Sequence, residues 1–280
     1  MKSRLRLILR GEKAAGLNDV PAPKNRPARS RGANAVENES ATPAKPLSAP
    51  RAAVAPATLA ALLQPPASEI TVLGGELHDT KTKRSLLDEL DQTQVRGCVK
   101  CRLCETRTNT VFGEGDADAK IFFIGEGPGE TEDLQGRPFV GRAGELLNKM
   151  IAGMGLERGQ VFIANIVKCR PPNNRVPAPD EVSTCTPYLV RQLELVRPKV
   201  IVTLGLPSTQ YMLQTKLSMG KMRGQWQNWR GVKLMPTYHP AYVLRNPTIE
   251  TRAAVWSDLK MVLTELGLTP PRKKNSRPGE

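Results

Sequence analysis

An α/β fold, three-layered with helices on both faces of a central, mostly parallel four-stranded sheet, is predicted by three observations. The chain has 280 residues at 39% hydrophobic, enough for one good core. From about residue 82, apolar runs of strand length alternate with stretches of helical apolar spacing, the pattern of a parallel sheet covered on both faces. No apolar stretch reaches the roughly 18 residues of a membrane span.

Taken in order, Lys81 to Val95 places Leu86, Leu87 and Leu90 at helical spacing, and Lys120 to Ile124 is a first strand. Leu146, Leu147, Met150, Ile151 and Met154 mark an amphipathic helix, followed by a strand over Val161 to Val167. A helix over Asp180 to Val196 and a strand over Lys199 to Leu204, ending at Gly205, come next. A short helix over Pro207 to Leu213, a strand over Val232 to Thr237 and a helix over Thr251 to Leu266 complete the domain, placed at residues 81–268. Ligands of such sheets bind beyond the carboxyl ends of the strands. The glycine-rich stretch GEGPGETEDLQGRPFVG (125–141), Asn165 and His239 all fall there.

Charge is uneven. The chain carries +14, but residues 1–66 alone hold 11 Lys/Arg against 4 Asp/Glu, a net +7. With no apolar period from Pro21 to Pro66, residues 1–80 are expected to form a disordered basic tail, and 269–280 a second flexible one. The N-terminal tail is either an attractor of phosphates or a solvated leader. The opening MKSRLRLILRGEKAAG is interrupted by Arg6 and too short in its apolar part for a signal peptide, so a cytosolic protein is expected.

Cys98, Cys101 and Cys104 form C-x2-C-x2-C, with Cys169 and Cys185 downstream. In a reducing compartment such thiols point to structural zinc or an iron–sulfur cluster, and spacing leaves both open, with one cysteine spare. Of two histidines, His78 sits in a polar loop, whereas His239 in T-Y-H-P-A-Y-V-L-R follows a strand directly. The glycine-rich stretch lacks the helix entry of a dinucleotide site and the G-K-[ST] of a phosphate loop, and its acids repel a pyrophosphate. Bare backbone beside carboxylates suits a tight pocket for a neutral group, with an acid to handle water.

The motifs C-V-K-C, G-E-G-P-G-E-T-E-D, G-R-P-F-V-G-R-A-G, N-I-V-K-C-R-P-P-N-N-R and Y-H-P-A-Y-V-L-R, in this order across residues 90–266, resemble the type-4 (family 4) iron–sulfur uracil-DNA glycosylases. The resemblance implies the uracil-DNA glycosylase fold and a monofunctional repair enzyme. Such an enzyme flips uracil out of single- or double-stranded DNA, hydrolyses the N-glycosidic bond and leaves an abasic site in base excision repair, acting as a monomer. It also implies a [4Fe-4S] cluster on Cys98, Cys101, Cys169 and Cys185, with Cys104 outside the ligand set.

In the same resemblance Asn165 reads uracil: a side-chain amide answers its O4 and N3–H, and cytosine would leave both groups unpaired. Phe139 stacks on the flipped base, or else is an ordinary core residue. Glu132 fills the space of a C5 methyl, and His239 donates to O2 as charge develops there. Related families place Asp or Asn where this chain has Gly127, so Glu126 is the nearest group to position water, unless it lends only its backbone. Val243 and Leu244 match the wedge loop, or are buried under the last helix. Arg245, Arg137, Arg142, Lys168 and Arg170 are expected phosphate contacts. Two rivals are a non-catalytic iron–sulfur DNA-binding module and a zinc-stapled nucleotide enzyme.

Overall fold

A computed structural model describes residues 76–271, so the segments expected to be tails lie outside the described residues over 1–75 and 272–280. At the N-terminal border the helix begins at Thr80, one residue before the expected domain start. The carboxylate of Asp79 accepts from the Thr82 N–H and caps helix α1 (Thr80–Leu90), whose Thr80 hydroxyl and Lys83 ammonium both bond Asp118. A π-helical turn over Asp91–Val95 continues it. At the other end Leu268 still packs on the core, and Pro271 lies against Gly155.

The sheet has six strands, in the order β1-β3-β2-β4-β6-β5. The four expected strands are its centre: β2 (Ile121–Gly125), β3 (Phe162–Asn165), β4 (Val200–Leu204) and β6 (Val232–Thr237), paired in parallel. Two short antiparallel strands, β1 (Glu114–Gly115) on β3 and β5 (Gln227–Trp229) on β6, cover the edges. At two and three residues they carry no readable alternation. Every residue of β2, β3 and β4 is buried, as strands covered on both faces must be.

Alternate residues of β2 divide between two cores. Phe122 and Ile124 join Leu87 and Leu90 of α1 and Leu189 and Leu193 of helix α4 (Pro179–Val196). Ile121 and Phe123 face Leu146, Leu147 and Met150 of helix α3 (Arg142–Gly153) and Val255, Leu259 and Val262 of helix α8 (Ile249–Glu265). Burying any one of these side chains is worth about 1.5–3 kcal/mol, so the two cores together set the three-layer order. Among the described residues no helix is long and apolar enough to cross a membrane.

The stretch 125–141 is not wholly irregular: Glu130–Gln135 forms a short helix, α2, closed by Gly136 at φ 67°. Acids at Glu130, Glu132 and Asp133 in its first turn complement the helix dipole, which the apolar pattern could not reveal in six residues. Strand β4 leads into helix α5 (Leu206–Leu213), the segment Met219–Met222 forms helix α6, and β6 leads into helix α7 (Pro240–Arg245).

Candidate functional site

Because the four central strands run in parallel, their carboxyl ends meet at one edge. Gly125 of β2 pairs in register with Asn165 of β3, and the Gly205 N–H after β4 bonds the Thr237 carbonyl of β6 at 2.9 Å, two residues before His239. Those ends line a cleft of about 720 Å³ that includes Glu126, Gly127, Glu132, Phe139, Asn165 and His239.

The closest approaches depend on absent side chains. A Cβ on Gly125 would stand 2.3 Å from Asn165 Oδ1 and 2.6 Å from Phe139 Cζ, so ring and carboxamide meet over bare backbone. A Cβ on Gly144 in α3 would fall 1.8 Å from the Phe139 carbonyl oxygen, which lets the 138–141 loop close on the helix. The Phe139 and His239 rings lie 5.6 Å apart between centroids. Phenyl, carboxamide and imidazole therefore share one small cup.

Phe139 is held in an unfavourable conformation, φ 50° for a residue with a side chain. Glu132 supplies part of the restraint: its Oε1 accepts from the Val140 and Gly141 N–H groups at 2.9 and 2.8 Å. Its carboxylate thus lines the cleft and fixes the turn that presents the ring. The ring is buried, yet it forms part of the cup wall.

Asn165 is 1% exposed, and its Oδ1 is a buried acceptor with no hydrogen-bond partner. Leaving such an atom unpaired costs about 1–3 kcal/mol, and Asn165 is among the residues that line the cleft. Opposite, His239 Nδ1 accepts from the Ala241 N–H at 3.0 Å, so the neutral ring carries its proton on Nε2. Burial, helped by the charge of Arg245 and opposed by Glu132, pushes the imidazole pKa down to about 4. The ring is a neutral donor across the physiological range. Burial also raises the Glu126 carboxyl above its usual range. A Cβ on Gly127 would press on Val167 at 2.9 Å, so that position offers no room for the missing carboxylate without a shift of Val167.

Cys98, Cys101, Cys169 and Cys185 line one small chamber, the last two buried and the first two half-buried; Cys104 is not among its lining residues. Burial pushes the Cys101, Cys169 and Cys185 thiols up, Cys185 to about 12. Polar groups nonetheless point at the sulfurs. Arg107 Nη1 donates to Cys169 Sγ at 3.1 Å, the Lys168 N–H to Cys185 Sγ at 3.2 Å, and the Tyr188 hydroxyl lies 3.4 Å from Cys98 Sγ. Among the described residues no three His, Cys, Asp or Glu side chains meet the spacing for a single metal ion.

Several expected contacts fall elsewhere. Val243 is fully buried in the core and cannot act as a wedge, because α7 turns that side chain inward; Leu244 is half-buried against the same core. The exposed side chains of α7 that line the cleft are Tyr242, stacked on Tyr238 with centroids 4.9 Å apart, and Arg245. Lys168 is fully buried and reaches no phosphate. Arg137 is tied to Glu114 at 2.8 Å, and Arg170 lies 3.8 Å from Glu130. Arg142 is exposed but does not line the cleft.

Sequence reasoning missed Arg175 and Glu181. The buried Glu181 carboxylate accepts from Arg175, from Arg102 beside the cysteine loop and from the Ala178 N–H, and these partners, Arg175 foremost, hold its pKa at about 2. The sequence marked only a helix over Asp180 to Val196; the arginine partners, 6 and 79 residues away, left no local signal.

A family model described as the Uracil DNA glycosylase superfamily matches residues 112–260. The chain is 48% identical over 197 residues to a type-4 uracil-DNA glycosylase of Sulfurisphaera tokodaii, covering 66% of this chain and 88% of that protein. A type-4 uracil-DNA glycosylase of Thermotoga maritima is 46% identical over 179 residues, 63% of this chain and 93% of its own. A type-5 uracil-DNA glycosylase of Pyrobaculum aerophilum is 32% identical over 161 residues, 50% and 71% of the two chains.

Proposed function

The chain belongs to the uracil-DNA glycosylase superfamily, and we propose that the cup between β2, β3, β4 and β6 is where it receives uracil extruded from DNA. It is a glycosylase that removes uracil in base excision repair. The observation that carries the assignment of the cup is the buried, unpaired Asn165 Oδ1 at the Gly125–Phe139 contact.

Uracil supplies what that atom lacks. Its N3–H donates to Asn165 Oδ1 while O4 accepts from the amide N–H, and the base lies against the Phe139 ring. Cytosine has a lone pair at N3 and would leave Oδ1 unsatisfied, which is the large kind of discrimination. Extruding the base costs a few kcal/mol, less from single strands or mispairs, so both single- and double-stranded DNA are substrates.

Hydrolysis breaks N1–C1′, and the bonding pair leaves with uracil, its charge gathering at O2. His239, neutral with Nε2 protonated, donates a hydrogen bond there, worth more in a dry cup than in water. Water attacks C1′ and gives its proton to the Glu126 carboxylate, which burial makes more basic; uracil takes a proton from solvent on release. Glu132 acts by holding the Phe139 turn and by occupying the cleft beside it, where a C5 methyl would need room.

Cys98, Cys101, Cys169 and Cys185 fit a [4Fe-4S] cluster. The Cys169 and Cys185 thiols, pushed up by burial, stay protonated unless a metal takes them as thiolates. Arg107 also lines the chamber, donates to Cys169 Sγ and, among the described residues, has no carboxylate within ion-pair distance, which suits an anionic group there. The cluster would tie the segment before the sheet to α4 and the 169 turn, as a clamp.

A uracil-containing oligonucleotide incubated with the protein and then treated with alkali should break at the uracil. His239→Ala and Asn165→Ala should each slow release by about 10²–10³-fold while the visible absorbance of the cluster is kept. Parent-like rates in both would sink the cup assignment.

A further inference from the structure

Lys168 has no part in the chemistry above, yet it is buried among the described residues without an ion pair. Burying an ammonium is far more costly than burying a methionine of similar volume, so its hydrogen bonds have a specific use. Nζ donates to the main-chain carbonyl of Asn165 at 2.9 Å and to Gln192 Oε1 at 2.7 Å. Gln192, itself fully buried on α4, passes its own amide to the Phe112 carbonyl at 2.9 Å.

The same residue reaches the other site through its main chain, donating its N–H to Cys185 Sγ at 3.2 Å. Only three residues separate Asn165 from Cys169, and they are bends after the end of β3. Of these, the Ile166 and Val167 N–H groups bond the Gly125 and Glu126 carbonyls, which holds one side of the turn. The carbonyl of Asn165 is held from the other side by Lys168.

We infer that Lys168 is a positioning residue for uracil recognition: its ammonium fixes the main chain of Asn165 against α4, so that the carboxamide meets the base in one orientation. This rests on the proposed cup. A carboxamide discriminates donor from acceptor only when its backbone cannot tilt, and a charged donor holds a carbonyl about twice as strongly as a neutral one. The supports of a site act through the groups they orient.

The test uses the full chain with its cluster. Lys168→Met, Lys168→Gln, Asn165→Ala and the double variant Lys168→Met/Asn165→Ala are compared for visible absorbance, KM and kcat on a single-stranded uracil oligonucleotide, and inhibition by free uracil. Lys168→Met should keep the absorbance, raise KM and the uracil inhibition constant about tenfold together, and lower kcat less. Lys168→Gln, which can still donate to the Asn165 carbonyl, should recover most of the loss. In the Asn165→Ala background Lys168→Met should add nothing to the inhibition constant.

Unchanged uracil inhibition in Lys168→Met would overturn the inference, as would an additive effect in the double variant. Loss of the absorbance in both single lysine variants would overturn it too, since the lysine would then serve the thiols. If Asn165→Ala itself binds uracil like the parent, the cup assignment fails first; a damaged Asn165→Ala beside a parent-like Lys168→Met removes only the role of the lysine.

Discussion

The cup and the thiol chamber sit at the two ends of one five-residue segment, Asn165 to Cys169, and are built on opposite principles. The cup is assembled from the carboxyl ends of adjacent strands and is kept unsatisfied: an acceptor without a partner, a phenylalanine at φ 50° and glycines where any Cβ would collide. The chamber is assembled on one face of the sheet from the segment before β1 and the segments after β3, and polar groups lie against its sulfurs. The cup keeps one buried acceptor unpaired, while the chamber brings thiols from distant chain segments together.

That contrast breaks most sharply at Gly144. Gly144→Ala puts a methyl group into the Phe139 carbonyl, so release of uracil should fall at least about 10²-fold, because a displacement near 1 Å in a catalytic array costs that much. Circular dichroism should still show the fold; full activity would mean that the loop is not held by this contact.

Next in size is the chamber. Cys185→Ser should remove the visible absorbance and lower the unfolding temperature by several degrees, the effect of about 2–5 kcal/mol, whereas His239→Ala should move neither. Glu181→Gln should cost less, about 1–3 kcal/mol, by weakening the bonds to Arg102 and Arg175. The Glu181 carboxyl is depressed to about 2 in the folded chain, so its contribution is complete above the unfolded value near 4.5 and lost as pH falls from there toward 2. Acid denaturation of parent and Glu181→Gln should therefore converge in that window.

The imidazole gives a subtler handle. With its folded pKa near 4 below the ordinary 6.5, His239 opposes folding as pH falls through 6.5 toward 4, but as a neutral donor it should keep uracil release free of an imidazole titration down to about pH 5. Arg245→Gln should raise that pKa, seen by nuclear magnetic resonance of the ring. The smallest effects belong to the surface: Arg245→Ala should lower the salt slope of DNA binding by about one, and Arg137→Ala by less, because its guanidinium already holds Glu114.

Much of the scaffold was legible in the sequence. Long apolar runs separated by helical periods placed the four central strands within two residues, because burial on both faces leaves a continuous apolar signature. The edge strands β1 and β5 and the helix α2 were too short to show a period, and only their neighbours hold them. Position at strand ends pointed to Asn165 and His239, the family resemblance pointed to Phe139, and the fold brings the three together.

By itself, then, the sequence determined the order of layers, the strand ends that carry polar groups and the cysteines available as ligands, since periodicity, glycine and residue chemistry are written along the chain. Tertiary structure alone decided which faces those residues present. It turned Val243 inward, drew Lys168 from a supposed phosphate contact into the interior, and set Glu132 to brace a turn. Such outcomes depend on helix rotation and on partners up to 24 residues away, and no local pattern encodes either.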